Sequence, residues 1–404
     1  MKKEAISTML ICALIFMGFA AAYSAENIHK GRQIFFPKTS LAECFTATWC
    51  GGCPGAEGAL NTLANEKSLN DLAIIEHHLS DSYESSDSLC NDRYNFYSVP
   101  AIPITFFSGE NAALGGSTDP DDPNIYNWYK TKIENDLLNT TCMVLSMDTD
   151  IVGGNVVVKV NVTCAETPAD GNLYLHVVLV DDHNESVYVS GREYRLRYTA
   201  VQRIAEDPIT LTAGTVLSKE YTVPINSSWN MSKMHVVAFV QTHNTHTVTD
   251  GYYTWKEGKV YNSVIQPIEK WELKPYETEI DASVGNIYEL TTVVRNELSE
   301  TRVIKVGYDP STLPAGWQIQ ICVGGLCYNV TEINVTLQPG ESKIVYYHVI
   351  PSDARTAYIK IYAYGNQWYS DVHYIKVNAV VPEFSHIPAM IVILAIPALL
   401  KKFE

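Results

Sequence analysis

The spacing of apolar and polar residues divides the chain into an N-terminal part with a mixed pattern and a long remainder with a β-type pattern. Residues 33–46 and 72–80 form apolar runs typical of buried strands, and Ile104–Phe107 forms a third. Pro54–Asn65 carries its apolar residues on one helical face. The segment 122–139 begins with an Asp-Pro helix-start signal and repeats apolar residues at helical spacing. This succession predicts an α/β unit.

Beyond about residue 141 the pattern becomes the alternation of half-buried strands. Segments such as NLYLHVVLVDD and KMHVVAFVQT are separated by turns rich in Gly, Pro, Asp and Asn. We therefore expect one antiparallel β-sandwich over residues 141–268. After the linker-like segment 267–277, we expect a second sandwich over residues 269–380, of the immunoglobulin or fibronectin kind.

The N-terminus has the layout of a secretory signal peptide, which we assign to residues 1–25. Lys2 and Lys3 precede an apolar run over residues 5–22, and Ala20–Ala22 supplies small residues for cleavage. The alternative is an uncleaved anchor helix. Either assignment implies that the bulk of the chain is exported.

The composition fits an exported β-rich protein. The 404 residues carry 29 Lys+Arg against 45 Asp+Glu, a formal net charge of −16, which argues against a nucleic-acid partner. Of the nine cysteines, Cys12 lies in the signal segment, and the even number that remains suits disulfides. Asn-x-Ser/Thr sequons, which are candidates for glycosylation, occur at Asn139, Asn161, Asn184, Asn226, Asn230, Asn329 and Asn334.

The stretch ATWCGGCPGAE contains a CxxC pair, Cys50 and Cys53. A structural zinc site usually needs a second such pair, and haem attachment needs a histidine after the second cysteine, where this chain has Pro54. We therefore expect no metal and no organic cofactor. A thiolate at a helix N-terminus is stabilised by the helix dipole, so Cys50 is expected to be the nucleophile and Cys53 the resolving thiol. Trp49 is expected to shield one side.

Two segments together resemble the thioredoxin-like superfamily. FTATWCGGCP, residues 45–54, is similar to its active-site strand and turn, and YSVPAIPITFFSG, residues 97–109, is similar to its cis-proline loop. The resemblance implies a thioredoxin-like domain over residues 30–140, with Pro103 as the cis-proline. It also implies that the backbone of Ile102 pairs with a bound peptide. The wider layout is similar to surface lipoprotein-like families in which such a domain is fused to a β-sandwich.

The chain departs from the thioredoxin pattern in ways that leave the direction of electron flow open. The buried acid expected six residues before the first active-site cysteine is replaced by Cys44, and Glu43 falls on the opposite face of the strand. The Gly-Gly dipeptide between the two cysteines provides no histidine to lower the pKa of Cys50.

Three further disulfides are candidates. Cys142 and Cys164 flank a predicted hairpin, and Cys322 and Cys327 enclose a short Gly-Gly turn. The third candidate pairs Cys44 with Cys90, the alternatives being that Cys44 is a buried apolar residue or a third redox thiol.

The C-terminal segment 381–404 resembles the PEF-CTERM sorting tails of archaeal surface proteins. Pro382, Glu383 and Phe384 precede a short apolar run that ends at Lys401 and Lys402. The run is short for a membrane span, which needs about twenty residues. The resemblance implies a tail that is cut as the protein is fixed to the cell surface. A plain weak membrane anchor is the alternative.

The sequence thus predicts a multidomain chain, an α/β thioredoxin-like domain followed by two antiparallel β-sandwich domains. The first functional hypothesis is an exported cell-surface thiol–disulfide oxidoreductase that acts on protein disulfides and uses a redox partner. The second is a surface binding or adhesion protein in which Cys50–Cys53 is a permanent bridge. The membrane is expected to be a partner only through the tail, and the sequence leaves the oligomeric state open.

Overall fold

The computed structural model describes residues 35–268, 270–298, 301–365 and 370–381. The predicted signal peptide and the sorting tail from Pro382 onward lie outside the described residues. The α-helices of the described residues are α1 (Cys53–Glu66), α2 (Leu89–Tyr97) and α3 (Pro123–Leu137). A short 3-10 helix spans Pro310–Thr312.

The strands up to residue 267 are β1 (Phe36–Pro37), β2 (Ser40–Thr46), β3 (Leu72–His78), β4 (Ile104–Phe107), β5 (Glu110–Leu114), β6 (Thr140–Thr141), β7 (Met143–Val152), β8 (Asn155–Cys164), β9 (Leu173–Asp181), β10 (Glu185–Val189), β11 (Arg192–Leu196), β12 (Thr199–Ile209), β13 (Val216–Pro224), β14 (Met234–Thr242), β15 (His246–Asp250), β16 (Tyr253–Glu257) and β17 (Val260–Pro267). The later strands are β18 (Trp271–Pro275), β19 (Glu279–Ser283), β20 (Tyr288–Asn296), β21 (Arg302–Tyr308), β22 (Gln318–Val323), β23 (Leu326–Tyr328), β24 (Glu332–Leu337), β25 (Ser342–Ile350), β26 (Thr356–Tyr364) and β27 (Ser370–Val380).

An eight-stranded mixed sheet forms the centre of the first two-thirds of the chain, in the order β17-β14-β9-β12-β3-β2-β4-β5. Strands β2 and β3 run parallel and are connected by α1, whereas β4 and β5 add to the sheet antiparallel. On its other edge β3 meets β12 through the pair Thr199↔Glu76, and β9, β14 and β17 continue the sheet antiparallel. The helix and the CxxC pair are therefore attached to a sheet that extends far into the β-rich region.

The predicted fold class, an α/β thioredoxin-like domain followed by two antiparallel β-sandwich domains, is wrong in its α/β thioredoxin-like part, and so is the assignment to that superfamily. The described residues contain 27 strands and only three α-helices. One apolar core contains Leu41 and Leu60 from the N-terminal segment together with Val178, Val237 and Phe239 from the β-rich region. Because the core and the sheet are shared, the N-terminal segment does not form an α/β domain of its own.

The remaining strands pack as layers of β-sheet. The three-stranded sheet β13-β8-β7 buries its apolar residues against β9 and β14. Farther along, the five-stranded sheets β18-β20-β25-β22-β23 and β19-β27-β26-β21-β24 enclose a separate apolar core in a β-sandwich. The segment 267–277, predicted to be a linker, contains β18, which is paired with β20.

Candidate functional site

The Cys50–Cys53 pair lies where β2 leads into α1. A tight turn after Thr46 brings the chain to Gly52, which precedes the first helical residue, Cys53, and Pro54 occupies the first turn. The two cysteines form a disulfide with their Cα atoms 5.5 Å apart. The described structure therefore contains the pair in its oxidised form, at a helix N-terminus where backbone N–H groups favour a thiolate.

The loop before β4 borders the disulfide. The Sγ atom of Cys50 lies 3.7 Å from the carbonyl oxygen of Ile102, and the Ile102–Pro103 peptide bond is cis. Gly116 packs against the same turn, and a Cβ atom at this position would lie 2.1 Å from the Gly52 carbonyl oxygen. Only glycine fits this close approach of two backbone segments.

Trp49 presents its ring to solvent directly beside the pair. The side chain is 59% exposed, and its indole Nε1 donates a hydrogen bond to the carbonyl oxygen of Leu79 at 2.9 Å. An exposed aromatic ring that is held at one end offers a partner apolar contact area at low entropic cost.

The hairpin formed by β10 and β11 covers the disulfide from the β-rich region. Tyr194 is fully buried there and donates its hydroxyl hydrogen bond to the carbonyl oxygen of Cys50 at 3.0 Å. Arg195 is bidentate to Asp121 at 2.6 and 2.9 Å, which fastens the hairpin to the segment before α3. Under this cover Cys50 is only 6% exposed.

The hairpin also brings a cation to the CxxC turn. The guanidinium of Arg192 lies against Gly51, so close that a Cβ atom there would be 3.4 Å from Nη2. The sequence analysis missed Arg192 and Tyr194. The available signal was local: alternating residues around the turn at Ser190 and Gly191, both of which have positive φ. That signal predicts a hairpin but not what the hairpin covers.

A buried polar cluster lies on the same side of the sheet as α1. Glu57, one turn beyond Cys53 on the buried face of α1, accepts a hydrogen bond from Thr46, and burial together with the charge of Glu76 raises its pKa to about 8. Burial acts to lower the pKa of His78 because it disfavours the charged ring. Hydrogen bonds to Asp81 and Glu76 outweigh this effect and raise the pKa of His78 to about 10. The site therefore contains a buried carboxyl group that titrates near neutral pH.

The opposite face of the sheet contains a second buried network. Arg93 on α2 binds both carboxylate oxygens of Glu43, with Nε–Oε1 and Nη2–Oε2 distances of 2.9 and 2.6 Å. Tyr97 donates to the same carboxylate, and Gln241 of β14 accepts from Arg93 Nη1 at 2.8 Å. Although burial acts to raise it, the positive charge of Arg93 holds the pKa of Glu43 well below its usual range. This network joins β2, α2 and β14.

The predicted pair Cys44–Cys90 is wrong, because both are free buried cysteines. Cys44 follows Glu43 in β2, so the two side chains point to opposite faces of the sheet. Cys90 belongs to α2 on the Glu43 face, where it interacts with His77. The sheet itself therefore separates the two sulfurs.

The predicted disulfide between Cys142 and Cys164 is also not formed, since both cysteines are free. Their thiols nonetheless interact with each other, and this interaction lowers the pKa of Cys142. The predicted Cys322–Cys327 bond is formed, between directly paired residues of β22 and β23.

We expect mild oxidation of the folded protein to join Cys142 to Cys164 and to leave Cys44 and Cys90 reduced. The first two thiols are in contact, and the pKa of Cys142 is already lowered, whereas the other two are on opposite faces. Differential alkylation followed by peptide mass spectrometry would measure this. A Cys44–Cys90 bond in soluble, folded protein would contradict the described sheet.

Six of the seven candidate glycosylation sites have exposed side chains: Asn139, Asn184, Asn226, Asn230, Asn329 and Asn334. Asn161 is the exception. It lies in β8 with 3% of its side chain exposed, so its assignment as a candidate is wrong for the folded chain. A sequon shows nothing about which face of a strand its asparagine occupies.

Clusters able to hold a metal ion, within the described residues, do not include Cys50 or Cys53. None of the described helices combines the length and the apolar composition that crossing a bilayer requires. The fold and the site thus define a β-rich protein with a covered CxxC disulfide.

Comparisons with known proteins yield solved structures but no family. No protein-family model and no curated protein matches the chain. The chain is similar to HBP35 of Porphyromonas gingivalis, with 14% identity, coverage of 85% of this chain and 98% of that chain, and a TM-score of 0.43. It is also similar to the ASH/PapD-like domain of human CEP192, with 10% identity, coverage of 28% and 88%, and a TM-score of 0.19. Neither comparison shows catalysis or membership of the thioredoxin-like superfamily.

Proposed function

We propose that the chain exchanges disulfides with cysteine thiols of protein partners through Cys50 and Cys53. The observation that carries this proposal is the position of the disulfide. It lies at the N-terminus of α1 beside the exposed ring of Trp49, and the guanidinium of Arg192 lies against Gly51, between the two cysteines in sequence. The second disulfide, Cys322–Cys327, joins two strands, and Nδ1 of His348 lies 3.5 Å from Cys322 Sγ. Of the two disulfides in the described residues, the first is the one that lies at the N-terminus of an α-helix, where backbone N–H groups favour a thiolate.

The exchange proceeds in two balanced steps. A partner thiolate attacks Cys50 Sγ, the Cys50–Cys53 bond breaks, and Cys53 leaves as a thiolate that takes up a proton. A second partner thiolate then attacks the partner sulfur of this mixed disulfide and releases Cys50 as a thiolate. The two partner thiols have lost two electrons to form a disulfide, and Cys50 and Cys53 have gained them. The reverse sequence reduces a partner disulfide.

Charge near the pair supports this assignment of roles. Arg192 and the N-terminus of α1 both favour the thiolate of Cys50. Glu57, with its pKa raised to about 8, is a buried proton donor one turn from Cys53. Ile102 and Trp49 are the proposed contacts for a partner peptide. A cell-surface location is part of the same proposal, supported by the apolar N-terminal and C-terminal segments and by the exposed sequons.

The second candidate function is a non-catalytic surface binding protein in which Cys50–Cys53 is a permanent bridge. The observation that favours it is the cover over the disulfide: Cys50 is 6% exposed and Tyr194 bonds to its carbonyl oxygen. Disulfide exchange therefore requires the β10-β11 hairpin to move away from the disulfide, whereas a permanent bridge requires no such movement.

Disulfide exchange with a fluorescently labelled dithiol peptide would separate the two functions. We expect the wild-type protein to oxidise the peptide and Cys50→Ser to lose this activity. When the peptide is supplied instead as its disulfide, the Cys50 thiolate of Cys53→Ser should attack one peptide sulfur and release the other as a thiolate, and the mixed disulfide should accumulate because the resolving thiol is missing. The matched control is the double variant Cys322→Ser/Cys327→Ser, which removes the other disulfide and should keep full activity.

The Arg195→Ala variant tests the cover directly. It breaks the ion pair that fastens the hairpin to Asp121, so we expect faster exchange by a factor of about 2 to 5, in keeping with the modest strength of an exposed ion pair. If the Cys50–Cys53 disulfide stays intact in the presence of the peptide, both in Arg195→Ala and in the wild-type protein, the non-catalytic binding protein remains as the function.

A further inference from the structure

Two histidines and a glutamate from neighbouring segments meet at one surface of the eight-stranded sheet. His176 lies on β9, directly opposite Glu206 of the adjacent strand β12. His243 follows the end of β14, on the other side of β9, and its backbone N–H donates to the carbonyl oxygen of Asn172 at 2.9 Å. The Nε2 atoms of the two histidines are 3.1 Å apart, and His243 Nε2 is 4.0 Å from Glu206 Oε1.

We propose that His176, Glu206 and His243 form a binding site for a divalent transition metal ion, Zn²⁺. Zinc bonds to imidazole nitrogen and carboxylate oxygen measure about 2.0 to 2.2 Å, so tetrahedral ligand atoms lie roughly 3.3 Å apart. The separation of the two Nε2 atoms already matches this spacing. All three ligand atoms lie within 4.8 Å of one another, and a small rotation of the Glu206 side chain closes the set. Two imidazoles and one carboxylate leave the fourth position for water.

The protonation of the two rings suits a metal site. Two ring nitrogens 3.1 Å apart cannot both carry a proton, so at least one Nε2 atom presents a lone pair to the other. Neutral imidazole is the form that binds metal.

Aromatic packing fixes the orientation of both rings before any ion arrives. Tyr174 stacks on His243 with a centroid separation of 3.7 Å, and Phe239 stacks on His176 at 4.7 Å. Phe96 adds a tilted contact to His243 at 5.0 Å. Ligands whose orientation is set by packing lose little entropy on binding metal.

The neighbouring arginines are paired with carboxylates, and one of these carboxylates belongs to Glu206 itself. Arg93 is bidentate to Glu43, and Arg203 binds Asp92 at 2.7 Å as well as the Oε2 atom of Glu206 at 3.3 Å. The Oε1 atom of Glu206 therefore remains free to turn towards the ion. Glu206 and His243 are partly exposed, which gives the ion a route from solvent.

The two other clusters that could hold a metal fit it less well. Cys322 and Cys327, which lie near His348, are joined in a disulfide, so their sulfurs are not thiolate ligands. In the acidic cluster of Asp150, Glu272 and Glu297, ion pairs with Lys274 and Arg295 already neutralise the carboxylates. The His176 cluster has two imidazole ligands, and although Arg203 pairs with Oε2 of Glu206, the Oε1 atom faces His243.

Calorimetric titration of the chelator-treated full chain with Zn²⁺ tests the site, together with Co²⁺ absorption as a report on ligand type. We expect one ion per chain and a cobalt spectrum of nitrogen and oxygen ligands without a thiolate charge-transfer band. His243→Ala and Glu206→Gln should each weaken zinc binding by more than about 100-fold, beyond the loss typical of supporting residues. His246→Ala is the matched control, because His246 is 58% exposed and outside the cluster, and it should bind zinc as the parent does.

Each of three results would overturn the proposal. The first is the absence of zinc binding by the folded parent chain. The second is unchanged affinity in His243→Ala, whose far-ultraviolet circular dichroism would verify that it is folded. The third is a thiolate band that disappears in Cys142→Ser, which would assign the ion to the Cys142 and Cys164 thiols instead. These readouts are independent of disulfide exchange at Cys50.

Discussion

The Arg93→Met variant is expected to lose about 3–5 kcal/mol of unfolding free energy, the typical cost of removing one partner from a buried ion pair. Methionine fills much of the same volume but leaves the Glu43 carboxylate charged and without its bidentate partner. The substitution also removes the donor to Oε1 of Gln241, so one of the contacts between α2 and β14 is lost, while the hydrogen bond from Gln241 to Tyr97 remains. Urea unfolding at pH 7, followed by circular dichroism, measures the effect.

Two further variants test the cause. The double variant Arg93→Met/Glu43→Gln removes the uncompensated charge and should recover at least half of the loss. Arg355→Met breaks the pair with Asp353, which is exposed, and should cost less than about 1 kcal/mol. A loss in Arg93→Met as small as the one in Arg355→Met would mean that the network contributes little to stability.

The second large effect is the loss of the stability that Glu57 contributes as the pH rises from about 5 to 8. Burial raises the pKa of Glu57 from 4.5 to about 8, so the folded state holds a proton that the unfolded state has released. A group whose pKa is raised by folding stabilises the folded state fully at pH values below its pKa in the unfolded state. This stability is lost as the pH rises through its pKa in the folded state. His78, with a pKa raised to about 10 in the folded state, also loses its contribution to stability as the pH rises above the pKa of the unfolded state. The maximal slope for one proton is about 1.4 kcal/mol per pH unit.

Urea unfolding at a series of pH values measures this slope, and Glu57→Gln should flatten it between pH 5 and 8. Glutamine keeps the acceptor for Thr46 but cannot ionise. Glu66→Gln is the matched control on the same helix, because Glu66 is partly exposed at its end. Asp81, whose pKa is lowered to about 2, affects stability only at acid pH. A pH dependence between pH 5 and 8 that is the same in Glu57→Gln as in the wild-type protein would contradict the buried position of Glu57.

Local features of the N-terminal segment could be predicted from the sequence. The strand Ile104–Phe107 has the predicted bounds, and α1 begins at the second cysteine, as the proline after it indicates. Helix α2 was missed, because its few apolar residues and three aromatic rings resemble a turn before a strand. Its positions Leu89, Cys90, Arg93 and Tyr97 do recur at helical spacing, and all four are buried.

The joining of strands across the sheet could not be predicted in the same way. Strands β9 and β14 are almost continuous apolar runs, because both faces of the sheet are covered there. Such runs carry no alternation that distinguishes a sandwich face from the middle of a mixed sheet. Nothing in β3 alone shows that its outer edge pairs with β12 at Thr199.

The candidate site also has a part that could be predicted from the sequence and a part that could not. Cys50 and Cys53 are close in sequence, so their spacing and the proline that follows them predict the disulfide at the helix start. Tyr194 and Arg192 reach it from a hairpin more than a hundred residues away, and His176 and His243 meet only because β9 lies beside β14. Contacts of this kind depend on which strands become neighbours, which local spacing does not encode.

The shared sheet has a consequence for the order in which the chain is made. Strand β3 leaves the ribosome well before β12, its partner on the outer edge, has been synthesised. Until then the edge of β3 offers unpaired backbone groups and an apolar face, the combination that favours aggregation of nascent chains. The CxxC segment thus reaches its final form late, and its maturation depends on whatever protects that edge during synthesis.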